Sequence, residues 1–167
     1  MKFIAAIWGA LGVFLLVGKS LQSLFVHAKE AVSNGLSTYQ VVFLILYSLF
    51  MLYFEGYKGF QKKFSPRTAA RVHYLYLNPR PLHVLFAPFF CVGYFYAKRK
   101  VRIIAITLSI LILCVVFLMS EFCTQPWRGI IDIGVILGLS YGLLSFACFL
   151  VKVFTTKDHG ISPEIPE

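Results

Sequence analysis

The chain has 167 residues, 59% of them apolar and only 14% charged, where soluble domains run at about 45–50% apolar and about 25% charged. A chain this small leaves roughly a third of its unfolded surface exposed after folding, too much to keep that apolar share from water, so a soluble globule, a disordered chain, a collagen and a coiled coil are all excluded. Sixteen Lys and Arg against seven Asp and Glu give a net charge of +9; because the basic residues stand between long apolar runs, they suit anionic lipid headgroups and topology control rather than nucleic acid.

The pattern predicts an all-α integral membrane protein with four transmembrane helices, at about 3–26, 36–55, 103–120 and 130–152, since about 20 residues of helix cross the hydrocarbon. The first run opens with Met1-Lys2 like a signal peptide. It lacks a small-x-small cleavage site, however, and the apolar pattern resumes at Leu21, Leu24, Phe25 and Val26, so a retained helix is expected, with Lys19 snorkelling to the interface. Ala5, Gly9 and Gly12 give it one small face.

The second span has its apolar heart at Val41–Phe54, and Glu55-Gly56-Tyr57-Lys58-Gly59-Phe60 marks its inner end. Glu55 and Lys58 are spaced to pair at i, i+3, and the two glycines permit a sharp exit. Beyond them Ser65-Pro66 reads as an N-cap followed by Pro at the first helical position. Arg67, Arg71 and Asn78 recur at i, i+4 and i+11, the polar stripe of a basic amphipathic helix lying in the inner headgroup layer and ending before Pro79 and Pro81.

The stretch Leu82–Ala97 is interrupted by Pro88 and Gly93 and is rich in aromatics, which favours the headgroup boundary. If it spans, the sixteen basic residues divide eight and eight across the membrane. If it dips in and returns, or lies along the surface, they divide thirteen against three, which is the asymmetry that the positive-inside rule expects. The expected architecture is therefore four spans, an amphipathic and re-entrant region at 65–97, and both termini cytoplasmic in the plasma (inner) membrane; five spans is the alternative. Residues 1–154 form one membrane domain, and the Pro-containing tail 155–167 is expected to be disordered.

Two clusters close the chain. Glu121, Arg128 and Asp132 gather at the outer end of the last two spans, where Pro126 can start a helix and Trp127 anchor it. Asp132 lies about one turn inside that boundary, a depth at which ionisable groups mark function by default. It pairs locally with Arg128 or, with Glu121, offers a site for a cation, a proton or a partner's charge. Gly134, Gly138 and Gly142 recur at i, i+4 and i+8, a face that lets helix backbones approach; the Ala5/Gly9/Gly12 face is its expected partner, with another protein as the alternative.

Catalytic motifs are missing: there is no GxSxG, HExxH, phosphate loop or dinucleotide fingerprint. Cys91, Cys114, Cys123 and Cys148 form no CxxC pair, and His27, His73, His83 and His159 have no ligand spacing, so neither a metal nor a cofactor is expected. The leading expectation is a non-catalytic accessory or assembly subunit that packs against a larger membrane partner and contacts anionic lipid on its cytoplasmic side. The rival is a membrane enzyme or carrier for a lipid-like substrate, using an inner-leaflet pocket of Glu55, Lys58, Arg67, Arg71 and Asn78. A third reading is ion or proton transport through Asp132.

Overall fold

A computed structural model describes residues 2–156 and 160–166. The described chain is helical without strands, and four helices are long and apolar enough to cross a membrane. Helix α1 (Lys2–Ser33) runs on well past the expected end near residue 26. It stops where Gly35 takes φ +78°, a left-handed conformation that glycine adopts without strain. Helix α2 (Thr38–Met51) starts after Ser37, whose amide donates to the Gln40 side chain at 2.8 Å.

Instead of exiting at Glu55, the chain continues as a π-helical segment (Leu52–Phe64) directly into α3 (Ser65–Leu77), one rod of 40 residues from Thr38 to Leu77. The Ser65 amide donates to the Phe60 carbonyl five residues back, and the return to α geometry falls at Pro66, which has no N–H to offer the ladder. Ser65 is therefore not an N-cap. It is fully buried, and its hydroxyl reaches across to the Gly142 carbonyl at 3.4 Å.

Two short helices follow, α4 (Pro81–Leu85) and α5 (Ala87–Val92). Neither is long enough to cross a bilayer. Gly93 then turns the chain at φ +104°, leading to α6 (Arg99–Phe122) and α7 (Trp127–Thr155).

Helix α7 is the axis of the molecule and packs on α1, α2, the π segment and α3. Helix α1 runs antiparallel to it: Ala31 meets Gly129 near one end, and Phe14 meets Phe146 towards the other, with ring centroids 5.2 Å apart. The long rod runs parallel to α7, from Tyr39 and Phe43 against Trp127 to Tyr76 against Phe154. The main core lies where α1, α3, α5 and α7 meet, around Val13, Val72, Leu75, Phe90 and Phe146.

Helix α6 is different. Among its described side chains only Val101 and Ala105, near its start, are buried, and among the described residues it packs along no other helix. The accessible surface of 10356 Å² is accordingly larger than the about 8,300 Å² that a compact soluble protein of this mass presents.

Two packing expectations need correction. The glycine face of α7 does not meet the small face of α1. Gly134 lies against Tyr47, Gly138 against Glu55, and Gly142 against Phe60, so the face is filled by α2 and the π segment. The partners Glu55 and Phe60 are five residues apart, a step that i→i+5 hydrogen bonding keeps on one side of the rod. The α1 face is filled instead by α5: a Cβ on Gly9 would fall 2.9 Å from Cys91 Sγ, and one on Gly12 would overlap Pro88, while Ala5 is buried in the same core. Periodicity defines a face but not its occupant.

The second correction concerns α3. It does not lie alone along a surface but packs on α1, α5 and α7, with Thr68, Ala69, Ala70, Arg71, Val72 and Leu75 buried. Asn78 ends the helix and is exposed, and Arg67 is partly buried. The expected polar stripe is thus divided among three environments.

Candidate functional site

Polar side chains collect at two places. The first is Arg71, whose relative exposure is 0%. Its Nε donates to the Phe90 carbonyl at 2.7 Å, Nη1 to Pro163 at 3.1 Å, and Nη2 to Phe95 and Tyr96 at 2.9 Å each. The guanidinium also lies 4.3 Å from the Phe90 ring centroid. A charge removed from water needs both hydrogen-bond partners and compensating polarity. Four carbonyl oxygens supply them, and the planar fork suits several acceptors at once. Those carbonyls belong to the end of α5, the turn after it and the tail, so one side chain of α3 holds three otherwise separate segments.

The same neighbourhood contains His83, stacked on Phe90 and Tyr96 at centroid distances of 4.7 and 4.6 Å. Its pKa is lowered, first by burial and then by Arg80 and Arg71. Burial pushes the Cys91 thiol up to about 12 despite the opposing charge of Arg71, which makes it an inert packing residue. The described part of the tail also contacts this neighbourhood. Glu164 accepts the Lys98 amide through its carbonyl and lies 3.8 Å from Arg67 through its carboxylate; residues 157–159, and with them His159, fall outside the described residues.

The second place is the contact between α2, the π segment and α7. Glu55 does not sit at an inner end: it lies against Gly138, near the middle of α7, and its Oε2 is buried without a hydrogen-bond partner. The expected pair with Lys58 does not form. Lys58 Nζ lies 4.9 and 4.8 Å from the Tyr53 and Phe54 ring centroids, because i→i+5 geometry turns a residue three positions on away from the same face. Asp132 is 7% exposed, and its Oδ2 is likewise unpartnered. Arg128 and His27 act on it electrostatically, yet neither forms an ion pair with it, whereas Arg67 does pair with Glu164. Glu121 is exposed on α6. Tyr47 rests on Gly134 between the two acids.

The structure therefore brings Glu55 and Asp132 to one helix contact, encloses Arg71, and leaves Lys58, Arg67 and Asn78 without a shared pocket. Among the described residues no three His, Cys, Asp or Glu side chains converge on a point that could hold a metal ion. Gly129 and Gln125 escaped sequence reasoning. Gln125 donates to Glu30 at 3.0 Å and to the His27 carbonyl at 3.4 Å, and its side-chain oxygen accepts the Gly129 amide, clamping the end of α1 to the start of α7. Tyr47 also escaped, since a tyrosine in an apolar run looks like an interfacial aromatic. The Trp127-Arg128-Gly129 break was the available signal for the clamp.

Comparison with known protein families, curated proteins and solved structures found no match to this chain.

Proposed function

We propose that this is a non-catalytic integral membrane protein, a small accessory or assembly subunit that packs against a larger membrane partner. In this reading four helices span the plasma (inner) membrane, residues 82–97 fold back on the inner side in contact with anionic lipid, and both termini are cytoplasmic. The shortness of α4 and α5 and the charge asymmetry of the sequence support that topology.

The observation that carries the functional reading is α6. Antiparallel helices joined by a short connection, here 123–126, ordinarily pack with axes about 8–10 Å apart. Helix α6 instead packs along no helix of the chain, and every Ile, Leu, Val and Phe from Ile110 to Leu118 is 46% exposed or more. Helices in lipid associate through van der Waals packing, and α6 makes very little of it within the molecule. The glycine face of α7 is already filled by Tyr47, Glu55 and Phe60, which leaves α6 as the surface for a partner.

A photo-crosslinking amino acid at Leu113 or Phe117 tests the reading in the native membrane. The expected result is a discrete protein adduct, recovered in fixed stoichiometry in mild detergent. Adducts to lipid alone, with a monomeric protein in detergent, overturn it.

A further inference from the structure

Two consecutive residues of the tail present three oxygens to three donors. The Pro163 carbonyl accepts Arg71 Nη1 at 3.1 Å, the Glu164 carbonyl accepts the Lys98 amide at 2.9 Å, and the Glu164 carboxylate lies 3.8 Å from Arg67 Nη1. Two guanidinium groups four residues apart on α3, and the amide that opens α6, therefore converge on one short stretch of chain. Arg71 is held there from behind: its Nε and Nη2 donate to the Phe90, Phe95 and Tyr96 carbonyls, three contacts that owe nothing to the tail.

The tail satisfies these donors incompletely. Among the described residues Arg67 Nε is buried with no hydrogen-bond partner, and the contact with Glu164 is too long for a hydrogen bond. One carboxylate faces two guanidinium charges, the carbonyls bring no charge to balance the second, and a cation taken from water is costly until it is paired. Helix α6 adds to the deficit, since its first turn holds no acidic residue and no side chain caps it, while Lys98, Arg99 and Lys100 stand exposed there. The tail also fits at a cost: Glu164 takes φ +49°, a left-handed conformation that residues with a Cβ disfavour. A phosphate group answers each of these deficits. It has oxygens for all three donors and a full negative charge, guanidinium groups bind it in bidentate fashion, and the start of a helix favours an anion.

We propose that Arg67, Arg71 and the start of α6 form a binding site for a phosphate group, carried by an anionic lipid headgroup or free in solution, and that Pro163 and Glu164 occupy it as a displaceable strap. The lipid source rests on the reading above that this side of the molecule meets anionic lipid; the accessory role takes no part in it.

The test uses the full chain, Glu164→Gln and a chain ending at residue 159, each reconstituted in phosphatidylcholine bilayers with a small share of spin-labelled phosphatidylglycerol at fixed ionic strength. Glu164→Gln and the shortened chain should hold the labelled lipid about tenfold more tightly than the full chain, the worth of one hydrogen bond to a charged group. Adding Arg67→Gln to either should remove the gain, whereas Lys63→Gln, which takes the same charge from an exposed position on the same rod, should keep it. The same chains in phosphatidylcholine alone, titrated calorimetrically with inorganic phosphate, read the free anion: a gain with the lipid assigns the site to the headgroup, and a gain with inorganic phosphate alone assigns it to the soluble ion. A gain that survives Arg67→Gln overturns the site. A full chain that prefers phosphatidylglycerol, with no gain in either variant for lipid or phosphate, overturns the site and its strap but leaves the contact with anionic lipid standing. No such preference in any chain, and no binding of phosphate, overturns both.

Discussion

Replacing Arg71 with Ala should release the α4–α5 region while leaving the four long helices formed. The side chain satisfies four backbone carbonyls, of Phe90, Phe95, Tyr96 and Pro163. At about 1 kcal/mol net for each hydrogen bond lost, the local structure is weakened by about 4 kcal/mol. With about 1.4 kcal/mol per tenfold change, the population in which α5 has left α1 should rise by roughly three orders of magnitude. Cys91 reads that population, because it is fully buried between α5 and α1, against Gly9. Helix regions open locally with their own free energies, so alkylation of Cys91 under native conditions follows the opening. On a background with Cys114→Ser, Cys123→Ser and Cys148→Ser, Cys91 should be protected in the parent and react about a thousandfold faster with Arg71→Ala. Arg71→Lys should fall between them, since a compact ammonium has three donors and no planar fork to reach carbonyls on two sides. A Cys91 that stays equally protected in Arg71→Ala would show that apolar packing alone seats α5, and the argument from Arg71 would be refuted.

Three further outcomes follow from the same contacts. Gly142→Ala places a Cβ into the Phe60 ring and should cost about 1–3 kcal/mol by overpacking, whereas Gly18→Ala meets nothing within 4 Å and should gain about 0.5–1 kcal/mol; thermal unfolding in detergent that ranks them the other way contradicts the assigned face. Deleting residues 160–167 removes the Pro163 acceptor of Arg71 and the Glu164 acceptor of the Lys98 amide, so Cys91 alkylation should quicken by up to about thirtyfold, two hydrogen bonds' worth at about 1 kcal/mol each; an unchanged rate would show that the tail is not seated. His83 has a pKa below its unfolded value of about 6.5, so the unfolded state binds the extra proton. Stability from this group is therefore whole above about pH 6.5 and falls as the pH drops below it, by at most about 1.4 kcal/mol per pH unit. His83→Phe keeps the aromatic stack and should unfold with a flatter acid limb, and a curve parallel to the parent's counts against a neutral buried imidazole.

The membrane class, the four long apolar helices and the need for close backbone approach at Gly134, Gly138 and Gly142 were all readable from the chain, because span length and small-residue periodicity are local properties of a helix. So was the stop before Pro79. That Asp132 sits inside an apolar run was readable too, since an ionisable group there stands out in one dimension. What covers each face was not. The glycines of α7 receive Tyr47, Glu55 and Phe60, and the small face of α1 receives α5, choices made by how the helices are arranged around α7. A helical wheel assumes 3.6 residues per turn, so it could not place Glu55 opposite Gly138 or separate it from Lys58 once residues 52–64 adopt i→i+5 geometry. Arg71 illustrates the same division: spacing marks it as polar and surface-seeking, but only the folded chain brings four carbonyls from residues 90, 95, 96 and 163 around it. Sequence alone determined which segments prefer lipid, because each residue carries its own transfer free energy; tertiary structure decided which buried polar groups find partners and which, like Glu55 and Asp132, are left without one, because hydrogen bonding depends on what distant parts of the chain place nearby.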